Sequence, residues 1–327
     1  MPASLTLTST LNLRCPPGDI PVTLAGAPTK ITCQTGSTPC IVIGSTGANN
    51  TSRQNLSLKD VVLTGPGATI AGSEAVQILP SGGYSKISGL RVNYFETGLH
   101  LIGDANLLSV LYLDQITIGA PGATTSTAVH LDGHIANAYF TNFTLSGINR
   151  VILDDGPGVS GAGASFTDGV FNTTTVEGTA AVSVSSSDGN QHQLTLTNIQ
   201  DWETACPYLE IGDQSSVIIN GVAWTGNPWG ATTSAGIHIL NGSAAWLKIN
   251  NATLNYCTVN GDILKVDGPN AFVTVSSSDF YLGNINFVGA SAGTFVGNRC
   301  VSSNATAMIG NLTNVRSSAN ISKCPDR

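Results

Sequence analysis

Leu58-Lys59-Asp60-Val61, Ile87-Ser88-Gly89-Leu90 and Leu113-Asp114-Gln115-Ile116 are three copies of one phrase: an apolar residue, two polar or small ones, then a return to apolar alternation. The phrase recurs as Phe140-Thr141-Asn142-Phe143, Phe166-Thr167-Asp168-Gly169, Leu196-Thr197-Asn198-Ile199 and Ile219-Asn220-Gly221-Val222. It continues as Ile249-Asn250-Asn251-Ala252, Val275-Ser276-Ser277-Ser278, Phe295-Val296-Gly297-Asn298 and, more weakly, Ile309-Gly310-Asn311-Leu312. Successive first positions lie 29, 26, 27, 26, 30, 23, 30, 26, 20 and 14 residues apart. A period in the twenties with period-two alternation inside each unit marks a β-solenoid, in which each unit buries its apolar face only against its neighbours. Helical periodicity is absent throughout. The expected fold class is all-β: a parallel β-helix of about ten coils with three strands per coil.

Working outward from the phrase, the coil near Gly98 shows a complete unit. Leu99-His100-Leu101 alternates inward, outward, inward; Gly103-Asp104-Ala105-Asn106 turns; and Val110 to Leu113 forms a second strand. Asp114-Gln115 makes a tight corner, Ile116-Thr117-Ile118 a third strand, and Gly119 to Thr127 a longer loop. Elsewhere the corner is Asp60, Gly89, Asn142, Asp168, Asn198, Gly221, Asn251, Gly297 or Asn311. Those residue types enter left-handed backbone conformations at low cost, and stacked asparagines can hydrogen-bond along the axis. The first strands supply two inward rows. One reads Val76, Leu99, Val129, Val151, Val182, Leu209, Ile237 and Leu264; the other reads Ile78, Leu101, Leu131, Leu153, Val184, Ile211, Ile239 and Val266. Three segments are expected: a cap and irregular first coil over 1–39, the β-helix over 40–315, and a tail over 316–327.

Over residues 40 to 315 this pattern resembles the right-handed parallel β-helix (pectin lyase-like) superfamily of pectate lyases, polygalacturonases and bacteriophage tailspikes, and is most like tailspike and fibre proteins. The resemblance implies a right-handed coil, a polysaccharide held by the first-strand face and its flanking loops, and a homotrimer of rods side by side. The residues themselves fix no chemistry.

Composition narrows the possibilities. Only 10% of the 327 residues are charged, against roughly 25% in an average globular chain. A net charge of −7 provides no basic footprint for nucleic acid, and no apolar run reaches the length of a membrane span. Met1-Pro2-Ala3-Ser4-Leu5 does not read as a signal peptide, so a trimmed chain or a virion protein released by lysis is expected. The seven cysteines include no Cys-x-x-Cys, so no structural zinc and no cofactor are expected. Disulfides 33–40 and 300–324 would clip the two ends of the rod, implying an oxidising, extracellular setting, with one thiol or more left over.

Three places offer chemistry. Between the inward rows lies an outward row, Gln77, His100, His130, Ile152, Ser183, Glu210, His238 and Lys265, forming one polar stripe that suits a ligand or merely solvent. Just beyond it stand Asp132 and the pair Asp154-Asp155, on consecutive coils at matching positions. Two carboxylates so placed could serve as the acid and the nucleophile or base of glycoside hydrolysis. Polygalacturonases carry comparable aspartates, but their histidine-glycine and arginine-x-lysine elements have no match here; Asp-Gly turns also occur for backbone reasons alone. The third place holds all four tryptophans, between 202 and 246: Trp202 and Trp229 beside Glu203 and Glu210 form a candidate sugar platform. Trp224 aligns with core positions and Trp246 is expected to pack. The leading expectation is a virion-type spike or fibre, located on the virion or outside the cell, that recognises a surface polysaccharide and has possible depolymerase activity. Other virion proteins are potential partners. The rivals are a secreted monomeric polysaccharide hydrolase or lyase, and a structural or adhesin module.

Overall fold

The computed structural model describes residues 4–13, 23–45, 56–67, 70–80, 83–119, 126–146, 149–156, 163–172, 179–186, 188–204, 207–226, 234–242, 244–255, 261–281, 283–289, 291–300 and 308–322. Within strands, the side chains of 23–28, 104–107, 109, 202–204 and 225–226 fall outside that description. Among the described residues there is no α-helix, and every strand pairing is parallel. One coil shows the rule. Leu209–Ile211, Ser215–Asn220 and Ala223–Gly226 pair, one coil on, with Ile237–Ile239, Trp246–Asn250 and Thr253–Leu254. Strands therefore sort into three parallel sheets wrapped around one core, and the chain is a parallel β-helix. Pairing of this kind already includes Ser4–Leu7 and reaches Ile321–Ser322. In the middle of the rod, Thr97–Asp114 and Thr127–Leu145 run through the turns between sheets without a break.

The corner between the second and third sheets sets the cross-section. Asp60, Gly89, Gln115, Asn142, Asp168, Asn198, Gly221, Asn251, Ser277, Gly297 and Ala319 all have φ between 50° and 66° there. Asn311 is not a corner. Met308–Gly310 pairs with Asn284–Phe287 in the first sheet, so the phrase at 309–312 belongs to a first strand and its coil turns later, at Ala319. Corner side chains also ladder along the axis: Asn142 Nδ2 donates to Asp114 Oδ1 at 2.8 Å and Asn198 Nδ2 to Asp168 Oδ1 at 2.9 Å. A left-handed residue with a branched Cβ costs about 1–2 kcal/mol. Asn198→Val is therefore expected to lose about that much in urea unfolding, whereas Asn198→Gly gives up only its ladder hydrogen bond, about 1 kcal/mol.

The core is aliphatic rows capped by aromatic stacks. Phe140 and Phe166 stack at 4.2 Å, and Trp224, inward as expected, stacks on Tyr208 at 5.2 Å. Cys33 and Cys40 are joined by a disulfide. Cys300 is disulfide-bonded as well, while Cys324 lies outside the described residues. One coil departs from the expected rows. Val129 pairs with Ile152 and Leu131 with Asp154, so the inward residues there are Ile152 and Asp154, not Val151 and Leu153, and the outward one is Leu153, not Ile152. The cause is a doublet of buried residues where the chain enters the first sheet: Ala75-Val76, Ala128-Val129, Val151-Ile152, Ala181-Val182 and Ile263-Leu264. Elsewhere the leading member is often alanine and invisible to an aliphatic pattern; in the run Val151-Ile152-Leu153 it shifts the reading by one.

Candidate functional site

Strand alternation places His130 and Asp132 on one outer face of the first sheet. Pairing then aligns His100 with His130 on one side and Asp155 with Asp132 on the other. Asp132 is thus opposite Asp155, while Asp154 is turned into the rod. The imidazoles of His100 and His130 stack with centroids 4.4 Å apart and planes 5° from parallel. Glu74 Oε1 holds His100 Nδ1 at 2.9 Å, and its other oxygen accepts from Gln77 at 3.2 Å. His100 Nε2 is buried without a hydrogen-bond partner and lies 3.7 Å from Asp132 Oδ2. His130 Nε2 meets Asp155 Oδ1 at 2.8 Å.

Electrostatics follow from these contacts. Burial works against charge on His100, but hydrogen bonding and charge from Glu74, with the Asp132 carboxylate, outweigh it and raise its pKa. The His130 hydrogen bond, against some burial, holds Asp155 below the usual carboxylate value. Asp132 and Asp155 both stay close to half-exposed, at 44% and 41% of the side chain. Their backbones are one strand spacing apart, about 4.8 Å. The pair can therefore be reached by a ligand from solvent.

Directly beneath lies an arrangement whose one sequence signal is an aspartate in an apolar row. Asp154 takes a place in an otherwise aliphatic inward row, between Leu131 and Val184, and is 4% exposed. Its Oδ1 meets His192 Nδ1 at 2.7 Å, and His192 Nε2 donates to the Gly156 carbonyl at 3.2 Å. His192, from the start of the second-sheet strand His192–Thr204, is 5% exposed. Both nitrogens face acceptors, which favours the charged ring. Burial opposes this, yet Asp154 and the Gly156 carbonyl raise the His192 pKa. Burial, aided by the neighbouring Asp155 charge, also pushes Asp154 up, against His192. The pair holds one proton tightly between them. A small cavity beside it is lined by Leu131, Gly133, Ile135, Asp154, Gly163, Ala164 and His192. At the rim, His134 Nε2 lies 3.5 Å from Asp188 Oδ2.

Further along the stripe, Ser183, Glu210, His238 and Lys265 follow Leu153 in register. Asp267 Oδ2 accepts from both His238 Nε2 and Lys265 Nζ at 2.8 Å; burial resists, but these hydrogen bonds and the Lys265 charge keep its pKa low. Every histidine of the chain thus lies within 3.7 Å of a carboxylate. The two tryptophans whose side chains are described do not share a face. Trp224 is in the core; Trp246 opens a second-sheet strand as expected but is 59% exposed, tilted against Phe272 at 6.2 Å. It begins its strand at an outward position, which is why it does not pack inside. The backbone of Trp202 and Glu203 ends a strand at a register irregularity, with side chains outside the described residues, and Trp229 lies outside them altogether.

No family model matches the chain, and no curated protein matches it. Among solved structures the chain is similar to tailspike protein 3 of bacteriophage CBA120, at 13% identity and a TM-score of 0.45, over 98% of this chain and 54% of that one. It therefore spans about half the length of that tailspike. It is also similar to the A-module of the mannuronan C-5 epimerase AlgE6 of Azotobacter vinelandii, at 13% identity and a TM-score of 0.31, over 90% and 91% of the two chains. Likenesses at these values concern the course of the backbone, and the chemistry has to be argued from the residues.

Proposed function

We propose that this chain is a β-helical glycan-binding protein, of the virion-spike or extracellular kind, that takes a polysaccharide along the outer face of its first sheet. The observation behind this reading is the strip Glu74, His100, His130, Asp132 and Asp155. It gathers carboxylates and imidazoles on consecutive coils, where half-exposed acids can accept from sugar hydroxyls and imidazole can donate. Glu210, His238 and Lys265 extend the strip along the rod. The Cys33–Cys40 disulfide fits an oxidising setting. A homotrimer, with other virion proteins as neighbours, belongs to the same reading.

A second reading, hydrolysis at the same strip, is favoured by one observation. Asp132 and Asp155 are register partners on strands about 4.8 Å apart, a spacing that can bring their carboxyl groups to the roughly 5–5.5 Å that retaining glycosidases use. Asp155, held ionised by His130, would be the nucleophile. The test compares the wild-type chain with Asp132→Asn/Asp155→Asn on a panel of bacterial surface polysaccharides. Binding and release of reducing ends are both recorded, with light scattering on the same samples. Losing a charged hydrogen bond costs about 1.5–3 kcal/mol, so affinity should fall at least tenfold, and the light-scattering mass should be three times that of one chain. Reducing ends released by the wild type alone, without the unsaturated sugar end that lyase elimination leaves, would establish hydrolysis. Unchanged binding in the double variant would remove the strip from consideration. Absence of any glycan binding, with a defined protein partner instead, would favour a structural module.

A further inference from the structure

We propose that His100, His130 and Asp132 form a binding site for a divalent transition metal of the zinc class. A ring nitrogen of each histidine and a carboxylate oxygen of Asp132 all lie within 4.8 Å of one another. Tetrahedral zinc, with bonds of about 2.0–2.1 Å, spreads its ligands about 3.3 Å apart. The 3.7 Å between His100 Nε2 and Asp132 Oδ2 would close by a few tenths of an ångström, and one of the two parallel-stacked imidazoles would have to turn, because a metal lies in the plane of each ring that binds it.

The state of His100 argues for a cation between these atoms. Its Nδ1–H is committed to Glu74, so in the neutral ring Nε2 presents a lone pair. That nitrogen is buried, has no hydrogen-bond partner, and faces a carboxylate oxygen, which also presents lone pairs. Two acceptors held face to face repel unless something positive, a proton on Nε2 or a metal ion in its place, lies between them. A metal ion relieves that repulsion for both groups at once.

The surrounding groups repeat the outer arrangement of protein metal sites. Each histidine is tied to its own carboxylate, His100 to Glu74 at 2.9 Å and His130 to Asp155 at 2.8 Å. Such partners fix ring orientation and raise basicity at metal-bound histidines. Two imidazoles and one carboxylate suit zinc, iron(II) or nickel(II) better than calcium or magnesium, which prefer all-oxygen sets. Three protein ligands leave a coordination position open for water or for a hydroxyl or carboxylate of a bound molecule. His192 and His238 are poorly placed for this. His192 has both nitrogens engaged within the rod, and His238 shares Asp267 with the ammonium of Lys265.

The site stands independently of the glycan reading, and its test uses the metal alone. The untagged chain, stripped with chelator and dialysed, is titrated with Zn²⁺ by calorimetry and with Co²⁺ by its visible absorption. One equivalent is expected to bind, with a cobalt spectrum of low-symmetry nitrogen and oxygen coordination, and Ca²⁺ should not compete. Asp132 is nearly half-exposed, so Asp132→Asn preserves the fold; it should abolish that equivalent, as should His130→Gln. Glu74→Gln should weaken it about 10–100-fold, and His238→Gln should leave it unchanged. The proposal fails if no equivalent binds, if binding survives Asp132→Asn with the variant folded by circular dichroism, or if His238→Gln removes it.

Discussion

Alanine in place of His192 is expected to destabilise the chain by about 3–5 kcal/mol, read as a drop in the urea midpoint with little change in slope. The cost arises because Asp154 would remain in a row of aliphatic side chains, its carboxylate buried without its imidazole partner. Replacing both members, Asp154→Val with His192→Leu, restores an apolar row and should recover most of the loss; such replacements are often neutral or stabilising. A double variant as unstable as His192→Ala alone would contradict this account. The pair also gives stability a pH dependence with a definite sign. Both groups hold protons more tightly than their ordinary values of 6.5 and 3.8. Stability from His192 is therefore fully present below pH 6.5, where the unfolded ring is charged too, and is lost as pH rises through the higher folded value. His100, shifted in the same direction, adds to the trend. The wild-type midpoint should fall from pH 6.5 toward pH 8 more steeply than that of the double variant, which keeps His100, by at most about 1.4 kcal/mol per unit for the His192 proton.

Gly133→Ala should be comparably damaging. Gly133 has φ of +90°, and a Cβ there would run into the Gly103 carbonyl on the neighbouring coil, while Gly103 itself would meet the His134 carbonyl. Strain at such a φ costs about 1–3 kcal/mol, and overpacking against backbone adds about 1–3 kcal/mol. Gly133 directly follows Asp132, so the same substitution displaces the carboxylate from His100 and Asp155. Thermal unfolding and metal or glycan affinity should decline together. Alanine at Gly189, which also has positive φ but meets nothing within 4 Å, serves as the comparison and should cost only the backbone strain. Equal losses at the two glycines would show that coil contact is not the cause.

The rows and corners were legible in the sequence because backbone geometry writes them there. A left-handed corner admits few residue types, and an inward row must be apolar, so both recur wherever the coil does. The site was legible only in part. His100 and His130 stood out on the outward row, and Asp132 with Asp155 just beyond it. Asp154 was misplaced because Val151-Ile152-Leu153 is continuously apolar and hides the entry doublet, so alternation alone cannot set its register. His192 was missed for a different reason. It meets Asp154 across the interior from another sheet, 38 residues away, and a contact of that kind leaves no local pattern. The one available signal was an aspartate in an apolar row, which asks for a buried partner.

The stacking of His130, Leu153, Ser183, Glu210 and His238 as successive neighbours has a consequence for how this molecule can change. The His130 and His238 clusters are four strand spacings apart, about 19 Å, a distance fixed by main-chain hydrogen bonding. Loops may lengthen or shorten between coils without altering it. Only gain or loss of a whole coil does, and then by one fixed step, carrying each cluster along intact. The separation between the two clusters is in that sense quantised, so remodelling by coil duplication or deletion would change it in whole coil heights rather than blur it.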